Sequence, residues 1–188
     1  MAPNKREEIM QAALMLFAER GYDGTTVPMI ADKAKVGAGT IYRYFDNKEA
    51  LVNALFQYCV KQFSGELTPK LMNDEKNIRD QFRDVFTTMM NYAEEHMDAL
   101  LFIESHSGAY YLDEESHLIY NDMLDSVRRI VEKGKQEGII KNVYTDALIC
   151  IVYGALIQFS KMMNKQKLSK DDAIFNGVEE CCWHSIRV

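Results

Sequence analysis

Between residues 4 and 20 apolar side chains recur at Ile9, Ala13, Leu16 and Phe17, while Glu7, Glu8 and Glu19 fall on other faces. That period predicts an amphipathic helix, with Gly21 as its stop. After the turn Gly21-Tyr22-Asp23-Gly24, Thr26 can cap a second helix ending near Lys35, because Pro28 is tolerated in a first turn and Val27, Ile30, Ala31 and Ala34 share a face. Val36 to Gly39 is long enough only for a tight turn. Thr40 to Phe45 then puts Ile41 and Phe45 inward and Thr40, Arg43 and Tyr44 outward, so two short helices meet across a glycine-bearing turn. Asp46 or Asn47 caps a fourth helix, which carries Leu51, Leu55, Tyr58 and Val60 toward about Gly65, where Pro69 opposes continuation. Further helices are predicted near 74–95, 97–110, 114–137, 145–164 and 169–186, with no β alternation. The chain therefore reads as all-α, with about nine helices. A three-helix head over 1–48, its helix-turn-helix at about 26–45, precedes a C-terminal helical bundle over 49–188.

With 188 residues, 47% hydrophobic and 27% charged, the chain is large enough for a sizeable core and too apolar to remain disordered. No uninterrupted apolar run approaches the roughly 18 residues of a membrane span, and the charged start lacks a signal-type segment. A cytoplasmic protein is expected. Cys59, Cys150, Cys181 and Cys182 have no paired spacing and fall in helical stretches, which favours reduced, mostly buried thiols. The net charge of -6 is unevenly spread: up to Lys48 there are seven Lys/Arg against six Asp/Glu, and Lys33, Lys35, Arg43 and Lys48 share a window opposed only by Asp46. A basic patch on an acidic body suits a DNA-binding head.

A helix-turn-helix works because its first helix braces a second, whose outward side chains enter the major groove while flanking hydroxyls, amides and cations hold phosphates. Here the outward set is Thr40, Arg43 and Tyr44, and the glycines leave backbone N–H groups open. Lys48 lies in a helix's first turn, where a lone cation opposes the dipole and an arriving phosphate would explain it. The run Thr25-Thr26-Val27, then Ile30 to Phe45 (IADKAKVGAGTIYRYF), then Lys48-Glu49-Ala50-Leu51, resembles the TetR family of transcriptional regulators over roughly the first quarter of the chain. The resemblance implies that the third helix reads bases, with Arg43 among the readers. Thr26, Thr40, Tyr42, Tyr44 and Lys48 would hold phosphates, and the remainder would be a ligand-binding, dimerising bundle. Lys35 stands where a turn glycine is frequent in that family. Gly37 replaces a capping serine, removing one hydroxyl contact that Lys35 could offset. Lys35, Gly37 and Gly39 thus complete the expected DNA-binding set.

In the body, Phe86, Met89, Tyr92, Phe102, His106, Tyr110 and Tyr153 belong to a pool of aromatic and adaptable side chains suited to an apolar pocket, although core packing alone could use every one. The stretch from Ala147 to Phe159 is apolar almost all round and contains the small pair Gly154-Ala155. Ile151, Gly154, Ala155 and Gln158, together with Val178 and Trp183 of the last helix, are therefore expected at a four-helix dimer interface. No cofactor is expected. Gly37-Ala38-Gly39 follows a helix and lacks the rest of a nucleotide loop. Adjacent Cys181 and Cys182 point about 100° apart and, with His184, lack a fourth metal ligand. Neither a Ser-His-Asp order nor a carboxylate pair supports an enzyme, and His96, His106, His117 and His184 have no visible nucleophile to activate. The expected partners are double-stranded operator DNA, a second copy and an unknown small apolar or amphipathic effector, with no membrane. The rival reading is a regulator or nucleoid-organising protein that takes no small ligand.

Overall fold

The computed structural model describes residues 4–73, 75–166 and 172–188. Eight helices occur among the described residues: α1 (Lys5–Arg20), α2 (Val27–Lys33), α3 (Ala38–Tyr42), α4 (Lys48–Leu71), α5 (Ile78–His106), α6 (Glu114–Gln136), α7 (Thr145–Gln166) and α8 (Asp172–Ile186). The expected helix from 169 begins partly outside the described residues. The chain forms two compact units, one of residues 1–62 and 98–120, the other of residues 63–97 and 121–188, so α4, α5 and α6 each contribute to both.

In the first unit α1 starts on a capping box. The Asn4 side chain accepts from the Arg6 amide, and Glu7 returns a bond to the Asn4 amide. Its face of Ile9, Ala13, Leu16 and Phe17 is buried. Gly21 ends it at φ 69°, a left-handed conformation natural to glycine, and its N–H donates to the Phe17 carbonyl at 2.9 Å. Buried Thr25 ties the turn back, donating its hydroxyl to the Gly21 carbonyl at 2.8 Å. Asn47 caps α4, its side chain accepting from the Ala50 amide at 2.7 Å.

Two differences from the expected helices have physical reasons. The fourth runs on to Leu71 with Pro69 inside it. Proline removes one amide donor in the last turn, a loss offset by burial of Leu67 and Leu71. The two helices expected on either side of residue 96 are one element, α5, kinked at His96 (φ −134°, ψ 38°). The boundary expected at residue 96 is thus a single non-helical residue inside one continuous element, which leaves eight helices among the described residues where the sequence predicts about nine.

The second unit's core joins Ile78, Val131, Ile140, Leu148, Trp183 and Ile186. A Cβ on Gly134 would stand 2.5 Å from Ile140 Cδ1, so the absence of a side chain lets α6 pack against the turn that follows it. The Arg79 guanidinium grips the almost fully buried Glu179 carboxylate bidentately, reaches Glu180 at 2.6 Å and lies 5.2 Å from the Trp183 ring. Arg128 forks onto Asp146 at 2.7 and 3.1 Å, joining α6 to α7.

Candidate nucleic-acid interface

Helix α3 is braced through Ile41 and Phe45, 1% and 5% exposed, and it presents Tyr42 and Tyr44 at 53% and 41% with exposed Arg43 beside them. Thr40 is half-buried. Arg43 is the C-cap of the helix, so the outward-facing set runs from the α3 face onto the turn that follows. Thr26 caps α2, accepting from the Met29 amide at 3.5 Å, and remains exposed. Gly37 caps α3 with no side-chain bond. Neither it nor Gly39 has anything within 4 Å of where a Cβ would lie, so the fold requires neither glycine for space. Lys35 adopts φ 54°, which accounts for the turn glycine frequent there in similar sequences and costs a non-glycine residue about 1 to 2 kcal/mol.

Lys48 is engaged differently from the expectation. Its ammonium donates to the carbonyls of Tyr22 at 3.0 Å and Thr25 at 3.1 Å and lies 3.8 Å from the centre of the Tyr22 ring. These groups supply the negative partner that the sequence argument assigned to a phosphate, so two of the three N–H donors already hold the α1–α2 turn. Residues beyond the motif complete this support. Asn53, buried on α4, donates to the Glu49 and Tyr111 carbonyls and accepts from the Asp113 amide and the Ser116 hydroxyl, using its full hydrogen-bonding capacity. Only its place on the inward face of α4 hinted at this role; apart from Glu49, its partners lie about sixty residues away.

The aromatic pool divides between the units. Phe102 and His106 belong to the first, where the rings of Phe17, Phe102, His106 and Tyr111 are neighbours. Phe86, Met89, Tyr92 and Tyr153 belong to the second, Phe86 lying edge-on to Phe175 and Tyr92 beside Phe63. Tyr110 is 81% exposed, which corrects its expected enclosure: as the residue before Tyr111 in a turn, it points its ring outward. His106 is buried, with Nδ1 2.9 Å from the Phe102 carbonyl, while its Nε2 has no hydrogen-bond partner among the described residues. Burial holds its pKa below the ordinary value, opposed by the Phe102 hydrogen bond.

On α7, exposed Ile151, Gly154, Ala155, Gln158 and Met162 follow one helical stripe, and Ile174, Gly177 and Cys181 are exposed on α8. Trp183 is not among them. It is 7% exposed within the unit's own core because the Arg79 and Phe82 side chains cover it, and Val178 is half-buried. Cys150 and Cys181 are exposed, whereas Cys59 and Cys182 are buried, so the expectation of mostly buried thiols holds for two of four. Residues 145–163 are long and apolar enough by composition to cross a bilayer, although no single uninterrupted run suggested it. Only 28% of that stretch is buried, so much of its apolar surface faces outward.

Residues 9–55 match the family model described as bacterial regulatory proteins, tetR family, and residues 56–188 match that of the tetracyclin repressor-like C-terminal domain. The two meet inside α4. Among curated relatives, the uncharacterized HTH-type transcriptional regulator YhgD of Bacillus subtilis is 24% identical over 75% of this chain and 74% of its own length. The HTH-type transcriptional repressor KstR2 of Rhodococcus jostii is 34% identical over 63% of this chain, which spans about half of that protein at 53%. A crystal structure of a TetR family transcription regulator from Marinobacter aquaeolei VT8 shares the fold, with a TM-score of 0.85 and 21% identity over 97% of this chain and 95% of that one.

Proposed function

The chain belongs to the TetR family of transcription regulators and is not an enzyme, and from that premise we propose that it is a homodimeric, cytoplasmic repressor that leaves its operator when a small apolar or amphipathic effector binds the body. The carrying observation is the braced α3, whose buried Ile41 and Phe45 turn Tyr42, Arg43 and Tyr44 outward. Arg43 reads a base edge. Thr26, Lys35, Thr40, Tyr42 and Tyr44 hold phosphates with the bare backbone at Gly37 and Gly39, and Lys48 offers its remaining N–H. That Lys35 keeps a cation in a left-handed turn favours its share in this contact. The repressor naming of the Rhodococcus relative supports repression over activation.

Two copies pair through the exposed stripe of α7 and the outer face of α8, placing two heads over successive major grooves. We place the boundary between head and regulatory domain at residues 48/49, where α4 begins. Each unit offers its own candidate effector site, around Phe86, Met89, Tyr92 and Tyr153 in the second and around Phe102 and His106 in the first. Sequencing the DNA fragments retained by purified protein tests the reading: a single palindromic motif supports it, and indiscriminate retention favours the nucleoid-organising alternative. With the operator in hand, an effector that releases DNA must itself bind more weakly in the operator's presence, by about 5- to 150-fold. A bound compound whose affinity is unchanged by operator is not the switch.

A further inference from the structure

Tyr22, in the turn between α1 and α2, is only 9% exposed and stacks on Tyr111 with ring centres 3.8 Å apart and planes 21° from parallel. The same Tyr22 ring receives the Lys48 ammonium at 3.8 Å, and its carbonyl accepts one of that ammonium's N–H donors. Tyr111 is pinned in turn: its carbonyl accepts from Asn53 at 2.8 Å, and the Asn53 oxygen receives the Asp113 amide at 2.9 Å and the Ser116 hydroxyl at 2.8 Å. The turn at the foot of the helix-turn-helix is therefore gripped by a cation from the first residue of α4 and by a ring from the segment joining α5 to α6. Nothing in the α3 surface requires Tyr111, which lies far from it in sequence. Yet the ring packs on the turn from which Thr25, Thr26 and α2 follow.

We propose that Tyr111 is a positioning residue for operator recognition, acting through its stack on Tyr22 to hold the α1–α2 turn. The inference rests on the DNA-binding reading and adds to it a residue outside the motif. Three variants of the full chain isolate the stack: Tyr111→Leu removes the ring face while keeping apolar bulk, Tyr111→Phe keeps the face, and Tyr22→Leu removes the other half. Binding to the selected operator is measured by fluorescence anisotropy well below the melting temperature, over a range of salt. Tyr111→Leu is expected to bind roughly three- to tenfold more weakly with an unchanged salt slope, because it removes orientation and no phosphate contact.

Tyr111→Phe should bind as the parent does, and the double variant Tyr22→Leu/Tyr111→Leu should be no weaker than the worse single one. Val131→Ala, a core change in the other unit, controls for destabilisation alone and should leave affinity intact. Parental affinity in Tyr111→Leu, additive losses in the double variant, or equal weakening by Phe and Leu would each overturn the proposal. Should Tyr111→Leu not fold, amide exchange in the parent decides. Operator must slow the Leu112 and Thr25 amides together, and slowing at Thr25 alone overturns it. A parent that retains no DNA fragment refutes the DNA-binding reading itself, a separate result from any of these.

Discussion

The exposed surfaces of α3 and α7 answer opposite questions with the same device, a helix whose inner face is committed to the core. On α3 and the turn that follows it the outward positions are phenols and a guanidinium, Tyr42, Tyr44 and Arg43, beside the half-buried hydroxyl of Thr40. On α7 they are Ile151, Gly154, Ala155, Gln158 and Met162, mostly apolar or small. A polar, cationic surface costs nothing to leave in water and gains by meeting phosphates. An apolar stripe is better removed from water, and two copies can do that for each other at about 25 cal/mol per Å² of apolar area. Under the proposed function the first surface suits a foreign polyanion and the second suits a second copy.

Gly154 gives the largest expected effect. A Cβ there would meet nothing within 4 Å in the single chain, so Gly154→Leu leaves the protomer's packing alone and clashes only with a partner. Light scattering should show monomers. Operator affinity should fall about 100-fold or more as two-headed binding becomes one-headed. A fully dimeric Gly154→Leu protein would mean that the α7 stripe faces something other than a second copy.

Substitutions on the polar surface are expected to act less strongly and in two distinguishable ways. Arg43→Ala should cost about 1 to 3 kcal/mol on the preferred operator and relax preference at one base position. Lys48→Ala should weaken every DNA sequence and flatten the salt slope by about one unit, with a further uniform loss because the ammonium also holds the Tyr22 and Thr25 carbonyls. Titrations against the operator and a scrambled duplex at several salt concentrations separate the two. If Lys48→Ala leaves the slope intact, the residue serves the turn alone.

The head was legible because its signals are local. The Thr26 cap, the Gly21 stop and the inward pair Ile41 and Phe45 depend on neighbours a few residues away, and each is found where the pattern puts it. The body was legible as helices but not as contacts. Trp183 looked like interface from its helix alone; nothing in its own stretch says that Arg79, about a hundred residues earlier, covers it. Asn53 was missed for the same reason, since three of its four hydrogen bonds reach residues 111–116. Lys48 was read against the helix dipole when the deciding groups were two carbonyls of an earlier turn.

The smallest expected effect comes from His106, whose surroundings are the apolar counterpart of the polar α3 surface within the same unit. The imidazole is flanked by the rings of Phe17, Phe102 and Tyr111, and its Nδ1–H faces the Phe102 carbonyl and the Ser105 hydroxyl. That arrangement leaves Nε2 as a buried lone pair, and burial lowers the pKa from the ordinary 6.5. Below pH 6.5 the unfolded chain binds a proton that the folded chain resists, so stability declines as pH falls from that value toward the depressed folded pKa, and is fully present above it. His106→Leu removes the titrating group while keeping apolar bulk. Urea melts between pH 7.5 and 5.5 should show a smaller loss on acidification in the variant than in the parent. Equal losses in the two proteins would place the acid sensitivity elsewhere, among the carboxylates.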